Sequence, residues 1–275
     1  NEIYLKVGDK TIPLSGKWKY KISASNSDFD FVEYGPNAYP SLLYNAMVNP
    51  LVGLSMRGVI WYQGENNTNR AKEYYHLFPA MINDWRKKWG KDFPFYWVQL
   101  ANYMDAVEVP SESLWAQVRE AQTQTLSLSH TGQAVIIDIG EAKDIHPKNK
   151  QEVGRRLALH ALHNDYGFSD VVCESPMPKT VRRVQDKIAV QFDNVADGLI
   201  VKNKYGYLMS FAVAGNDGVY KWVQAKVAGK DRVVLSCPDV IDPVSVRYAW
   251  GDNPDDANLY NSVGLPATPF EIKIE

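Results

Sequence analysis

The sequence predicts an α/β domain built on a parallel sheet, followed by an all-β, sandwich-like module. Two observations carry the prediction. Between residues 57 and 166, short apolar runs alternate with stretches of helical periodicity. Continuous apolar strands of that kind belong to parallel sheets covered on both faces. After about residue 170 the rhythm changes to short alternating runs separated by Gly, Asp, Asn and Pro, the pattern of antiparallel β-structure.

The elements follow in order. Residues 2–7 and 10–14 flank Gly8-Asp9 and read as a hairpin outside the α/β rhythm. Residues 21–40, rich in Ser, Asn and Asp, read as a connection. Residues 57–62 are apolar and β-branched, hence a buried strand. Residues 69–89 show helical spacing, with Tyr74, Leu77, Phe78, Met81, Ile82 and Trp85 on one face and Gly90 as the stop. A second strand covers 93–100, with Pro94 tolerated near its start. A second helix covers 113–128, with Ser111 or Ser113 as cap. A third strand covers 134–139, and a third helix runs over 148–166 to Gly167. Strands are then expected at 187–192, 208–213, 219–223, 232–235 and 244–249. Open parallel sheets bind ligands beyond the carboxyl ends of their strands, and two polar clusters, at 62–67 and 138–147, sit at such ends.

Composition narrows the function classes. A chain of 275 residues, 45% hydrophobic and 23% charged, holds one large or two moderate domains with a full core. The net charge is -2 without a basic stripe, so the electrostatic footprint of nucleic-acid binding is missing. No apolar run approaches the roughly 18 residues of a membrane span. The opening residues show no basic leader, no apolar signal region and no initiator Met, so a processed or partial polypeptide is expected. Cys173 and Cys237 are too few for a disulfide framework; they pair with each other or remain free buried thiols. The 8 Trp and 16 Tyr suit a protein that faces carbohydrate, or serve as core filling.

His146 is the strongest candidate for chemistry. It follows a strand-end loop and lies two residues after Asp144. An imidazole serves as general base near neutral pH, and a neighbouring carboxylate holds its tautomer and stabilises the imidazolium. The plainer alternative is that His146 caps the following helix. Gln63 ends the first strand, where its amide could donate to a developing oxyanion or merely brace the loop. Glu65, Asn66 and Asn67 follow it and are expected to brace the loop or face the substrate. His160 and His163 stand three apart on a helix, but no third metal ligand has an evident position, so neither metal nor cofactor is expected. The nearest match to a G-x-S-x-G elbow, Gly53-Leu54-Ser55-Met56-Arg57, fails at its last position and precedes a strand instead of following one. The chain is expected to lack its own nucleophile.

Trp61-Tyr62-Gln63-Gly64-Glu65-Asn66-Asn67 and Asp144-Ile145-His146-Pro147-Lys148-Asn149-Lys150-Gln151 closely resemble the sialate O-acetylesterase family of the SGNH-hydrolase superfamily. Segments 43–47, 115–122, 246–250, 258–261 and 265–267 agree, so the resemblance runs over nearly the whole chain. It implies a flavodoxin-like three-layer α/β/α domain with attached β-sandwich modules, and a periplasmic or secreted setting. Residues 1–20 then resemble the end of an inserted β module, 21–170 the C-terminal part of the esterase domain, and 171–275 a C-terminal sandwich. The implied activity is serine-dependent, metal-free removal of O-acetyl groups from sialic acid or related sugars. His146 would be the general base and Gln63 part of the oxyanion hole. The superfamily spacing is D-x-x-H and here it is D-x-H, so Asp144, Asp138, Glu141 or a backbone carbonyl can orient the imidazole. The serine block is expected in an upstream segment of the same protein. Rival readings are a non-catalytic carbohydrate-binding or scaffolding fragment, an acetylxylan esterase, and a retaining glycosidase using Glu65 and Glu141.

Overall fold

The computed structural model describes residues 3–19, 21, 35 and 39–275. The chain divides into two compact units, 1–53 and 54–275. In the first, Tyr4–Val7 (β1) and Lys10–Pro13 (β2) form the expected hairpin, with Val7 facing Lys10. Gly8 takes φ +59°, a left-handed conformation that glycine adopts without a Cβ penalty and that such a tight turn needs. The connection expected at 21–40 lies almost wholly outside the described residues. Tyr44–Val48 forms a π-helical turn that runs into the 3₁₀ turn Asn49–Leu51.

The second unit begins with the alternation read from the sequence: Val59–Trp61 (β3), Ala71–Trp89 (α1), Phe95–Val98 (β4), Leu114–Gln124 (α2), Thr131–Ala134 (β5) and Lys150–Asp165 (α3). The strands form a parallel sheet in the order β3-β4-β5. Side chains alternate across a strand, and β4 uses both faces. Phe95 and Trp97 pack with Tyr74, Phe78 and Ile82 of α1 and Trp115 and Val118 of α2. Tyr96 and Val98 pack with Val153 and Leu157 of α3. Gly90 ends α1 at φ +62°, its N–H reaching the carbonyls of Arg86 and Lys87. Ser113 caps α2, its hydroxyl accepting from the Ala116 N–H.

Three expectations need correction. The strand at 57–62 is only Val59–Trp61; among the described residues it is the sheet edge, and Ile60 is 71% exposed instead of buried. Leu77 is exposed, outside the buried face of α1. The run at 134–139 pairs only at its first residue, because the ladder of β5 lies at Thr131–Ala134. The apolar run beyond it serves two cores at once: Ala134 and Ile136 face α3, whereas Val135 and Ile137 enter the core of the β-region that follows.

That region contains Met177–Val184 (β6), Lys187–Asp193 (β7), Leu199–Val201 (β8), Phe211–Ala214 (β9), Tyr220–Trp222 (β10), Gln224–Val227 (β11), Arg232–Ser236 (β12), Ser245–Tyr248 (β13), Leu259–Asn261 (β14) and Phe270–Lys273 (β15). Two four-stranded antiparallel sheets, β11-β12-β7-β6 and β10-β9-β13-β15, contribute to one core. Ile188, Val190 and Leu235 come from the first sheet, and Val213, Val246 and Phe270 from the second. Cys173 and Cys237 are both buried and free. Among the described residues no helix is long and apolar enough to cross a membrane.

Candidate active site

Three segments leave the carboxyl edge of the parallel sheet: 62–67 after β3, 99–104 after β4 and 135–149 after β5. Gln63 is held from three directions. Its Nε2 donates to Asn67 Oδ1 at 2.8 Å, Tyr74 Oη donates to its Oε1 at 3.2 Å, and Gln122 Nε2 donates to its backbone carbonyl at 3.3 Å. A primary amide carries two N–H groups, so the bond to Asn67 leaves one for another acceptor. Glu65 opens the 3₁₀ turn Glu65–Arg70, where its backbone carbonyl accepts from Thr68 Oγ1. Burial, helped by the Glu65 charge, pushes the Tyr62 hydroxyl up to about 12.

The loop after β5 holds the three carboxylates considered for orienting His146. Asp138 is engaged by Arg156, with contacts of 2.6 and 2.9 Å, and also accepts from Tyr260 Oη. Glu141 accepts from Lys148 Nζ at 2.9 Å. Asp144 Oδ1 accepts the His146 backbone N–H at 2.9 Å and lies 3.8 Å from His146 Nδ1. The local Asx turn thus carries the imidazole on a side chain that is 86% exposed. His146 does not cap α3; Asn149 does, its Oδ1 accepting from the Glu152 N–H at 3.1 Å.

Two ties fix this loop to its surroundings. Tyr62 and Ile139 pack against the same core with α3, and Lys150 Nζ, at the start of α3, lies 4.6 Å from the Tyr62 ring centroid, so the segments after β3 and β5 share one hydrophobic cluster. A ladder of amides also runs through the segment after β4. The Gly140 N–H donates to Asn102 Oδ1 at 2.7 Å, Asn102 Nδ2 to Asn253 Oδ1 at 2.8 Å, and Asn253 Nδ2 to the Met104 carbonyl at 2.8 Å. The Met104 N–H then donates to the Ala142 carbonyl at 2.9 Å. Only glycine fits at 140: a Cβ there would lie 2.2 Å from the Asn102 carbonyl oxygen. Sequence reasoning missed Asn102 and Asn253, whose one visible signal is that Asn102 follows the second predicted strand.

The H-x-x-H pair lies elsewhere. His160 Nε2 faces the Gln133 carbonyl at 3.0 Å, its ring stacks on Tyr96, and burial lowers its pKa to about 4. His163 Nδ1 faces the Val171 carbonyl at 2.8 Å.

Residues 27–163 match the family described as carbohydrate esterase, sialic acid-specific acetylesterase. The chain is 31% identical over 278 residues to the sialate O-acetylesterase of Rattus norvegicus, covering 89% of this chain and 50% of the relative. It is 31% identical to the Homo sapiens sialate O-acetylesterase over 264 residues, covering 86% and 49%. A solved carbohydrate acetylesterase from Xanthomonas citri is similar at TM-score 0.80 and 44% identity, covering 86% of this chain and 55% of that one. The chain spans about half the length of the curated relatives it matches. With the strand-end motifs at Gln63 and His146 on a shared parallel sheet, these likenesses make the chain a member of the sialic acid-specific acetylesterase family of carbohydrate esterases.

Proposed function

We propose that the complete protein removes O-acetyl groups from sialic acid or a related sugar, and that this chain supplies the base and an oxyanion donor. The observation that carries the reading is the Asp144–His146 turn, which holds an exposed imidazole in the loop after β5 while a neighbouring loop of the same sheet edge holds the Gln63 amide. In this mechanism a serine from an upstream segment attacks the acetyl carbonyl carbon, and His146 takes the hydroxyl proton. The Gln63 N–H stabilises the oxyanion. The tetrahedral intermediate collapses, the sugar oxygen leaves with the proton from His146, and an acetyl-serine remains. Water, deprotonated by His146, releases acetate and restores the serine. Asp144 orients the imidazolium, while Glu65, Asn66 and Asn67 line or brace the sugar side.

The reading treats 21–170 as the C-terminal part of a three-layer SGNH domain, 1–20 as the end of an inserted β module and 171–275 as a β-sandwich module. Among the described residues β3 has a free edge, which supports an incomplete sheet. Ile60 stands 71% exposed there. A parallel strand from the upstream segment, added to β3, would cover it.

In the complete protein, His146→Ala is expected to lower hydrolysis of O-acetylated sialic acid by about 10³-fold or more. Its melting curve should be unchanged, because the side chain is 86% exposed. Near-parental turnover would overturn the assignment. The isolated chain is expected to leave p-nitrophenyl acetate at the background rate.

A further inference from the structure

The sheet β11-β12-β7-β6 has a second face that the ester chemistry does not use. Ile188, Val190, Val233 and Leu235 point inward to the core. Their alternates point outward, and the strand register places Gln224 beside Ser236 beside Lys187, with Lys226 beside Val234 in the next row. These outward residues floor a hollow of 680 Å³ walled by Tyr207, Met209 and Trp222. The wall is open to solvent: Tyr207 is 68% and Trp222 42% exposed. The Trp222 ring is nevertheless held in place, because its Nε1–H donates to the Glu108 carbonyl at 2.9 Å. Tyr205 extends the aromatic wall, 6.2 Å from Tyr207 between ring centroids.

The charge in the hollow is one-sided. Its lining includes Lys187 and Lys226 and no carboxylate, and among the described residues neither lysine forms an ion pair. Aromatic faces carry a negative quadrupole that attracts C–H groups, and an ammonium is a compact point charge that attracts a carboxylate. Gln224 and Ser236 add hydrogen-bonding groups on the floor. We propose that this trough is a binding site for an anionic saccharide, with pyranose faces against Tyr207 and Trp222 and the sugar carboxylate at Lys187 and Lys226. An acidic peptide would satisfy the lysines but leave the exposed rings without flat partners. The proposal stands apart from the chemistry at His146.

The test is calorimetric titration of the 275-residue chain with sialyllactose, beside lactose. Sialyllactose is expected to bind saturably, and lactose at least about tenfold more weakly, a difference of about 1.4 kcal/mol. Lys226→Glu, Lys187→Glu and Tyr207→Ala should each weaken sialyllactose by about tenfold, whereas Lys226→Arg and His146→Ala should retain it. Far-UV circular dichroism confirms that each variant folds. Absence of saturable binding, equal affinity for lactose, or parental affinity in the charge-reversed variants would overturn the proposal. So would loss of sialyllactose binding in His146→Ala, or polyglutamate binding more tightly than sialyllactose.

Discussion

His160 shows how much one buried side chain can weigh on stability. Its ring lies over Gly132, where a Cβ would sit 2.5 Å from His160 Nδ1, and stacks on Tyr96. Burial holds its pKa down at about 4, against about 6.5 for an unfolded histidine. Above pH 6.5 both states are neutral and the group is silent. As pH falls from about 6.5 to about 4, the unfolded chain takes a proton that the native chain refuses, so stability declines by up to about 1.4 kcal/mol per pH unit. Below about 4 the loss levels off. Denaturant melts at pH 7 and pH 4.5 should therefore differ less in His160→Gln than in the parent; an unchanged difference would contradict the buried neutral ring. The candidate site residues divide by the range of their contacts. His146 and Asp144 are legible in the sequence because the turn that joins them closes within three residues. Gln63 is legible because it ends an apolar run. Asn102 is not, because its partner Asn253 lies 151 positions away and no local pattern records it.

At the scale of elements, start and stop signals read well and lengths read less well. Gly90 and Ser113 act where they were expected because capping is local chemistry. The strand at 134–139 misled because a continuous apolar run reports burial, not pairing. Val135 and Ile137 are buried by another part of the molecule, beyond the end of their ladder. Strands β6, β8, β11, β14 and β15 escaped the reading: Lys, Arg and Glu fill the outward positions of β6, β11 and β15, and β8 and β14 are three residues long. The loop carrying His146 depends on the amide ladder from Gly140 to Ala142. Asn253→Ala leaves the buried Asn102 Nδ2 without its acceptor and should cost about 1–3 kcal/mol, measured by denaturant melt. In the complete protein the same change should lower kcat without abolishing it, since the imidazole remains but its loop is less well held. Parental stability and turnover in Asn253→Ala would show that the ladder is dispensable.

Across the second unit, the α/β part and the β-region behave as one body. Val135 and Ile137 sit in the core of the two antiparallel sheets, and Arg119 clasps the same junction from α2. Its fully buried guanidinium donates to the carbonyls of Leu100, Ala101, Gly251 and Asp252. Burial lowers its pKa to about 9, opposed by the Asp252 charge. Arg119→Leu strips the Leu100 and Gly251 carbonyls of their donor, while Ala101 keeps Trp115 Nε1 and Asp252 keeps the Tyr103 N–H, and should destabilise by about 2–5 kcal/mol. Residues 54–275 should unfold in a single calorimetric transition; two separated transitions would show that the junction does not couple its sides.

That clasp also sets an order of events during synthesis. Arg119 emerges from the ribosome 132 residues before Gly251. At translation rates of about 5–20 residues per second, its acceptors at Gly251 and Asp252 arrive on the order of ten seconds later. Through that interval the nascent parallel sheet carries a cation destined for burial and apolar side chains at 135 and 137 with nothing to cover them. Any engagement of the nascent chain by a chaperone is therefore expected at the first half of this unit, until its last strands are made.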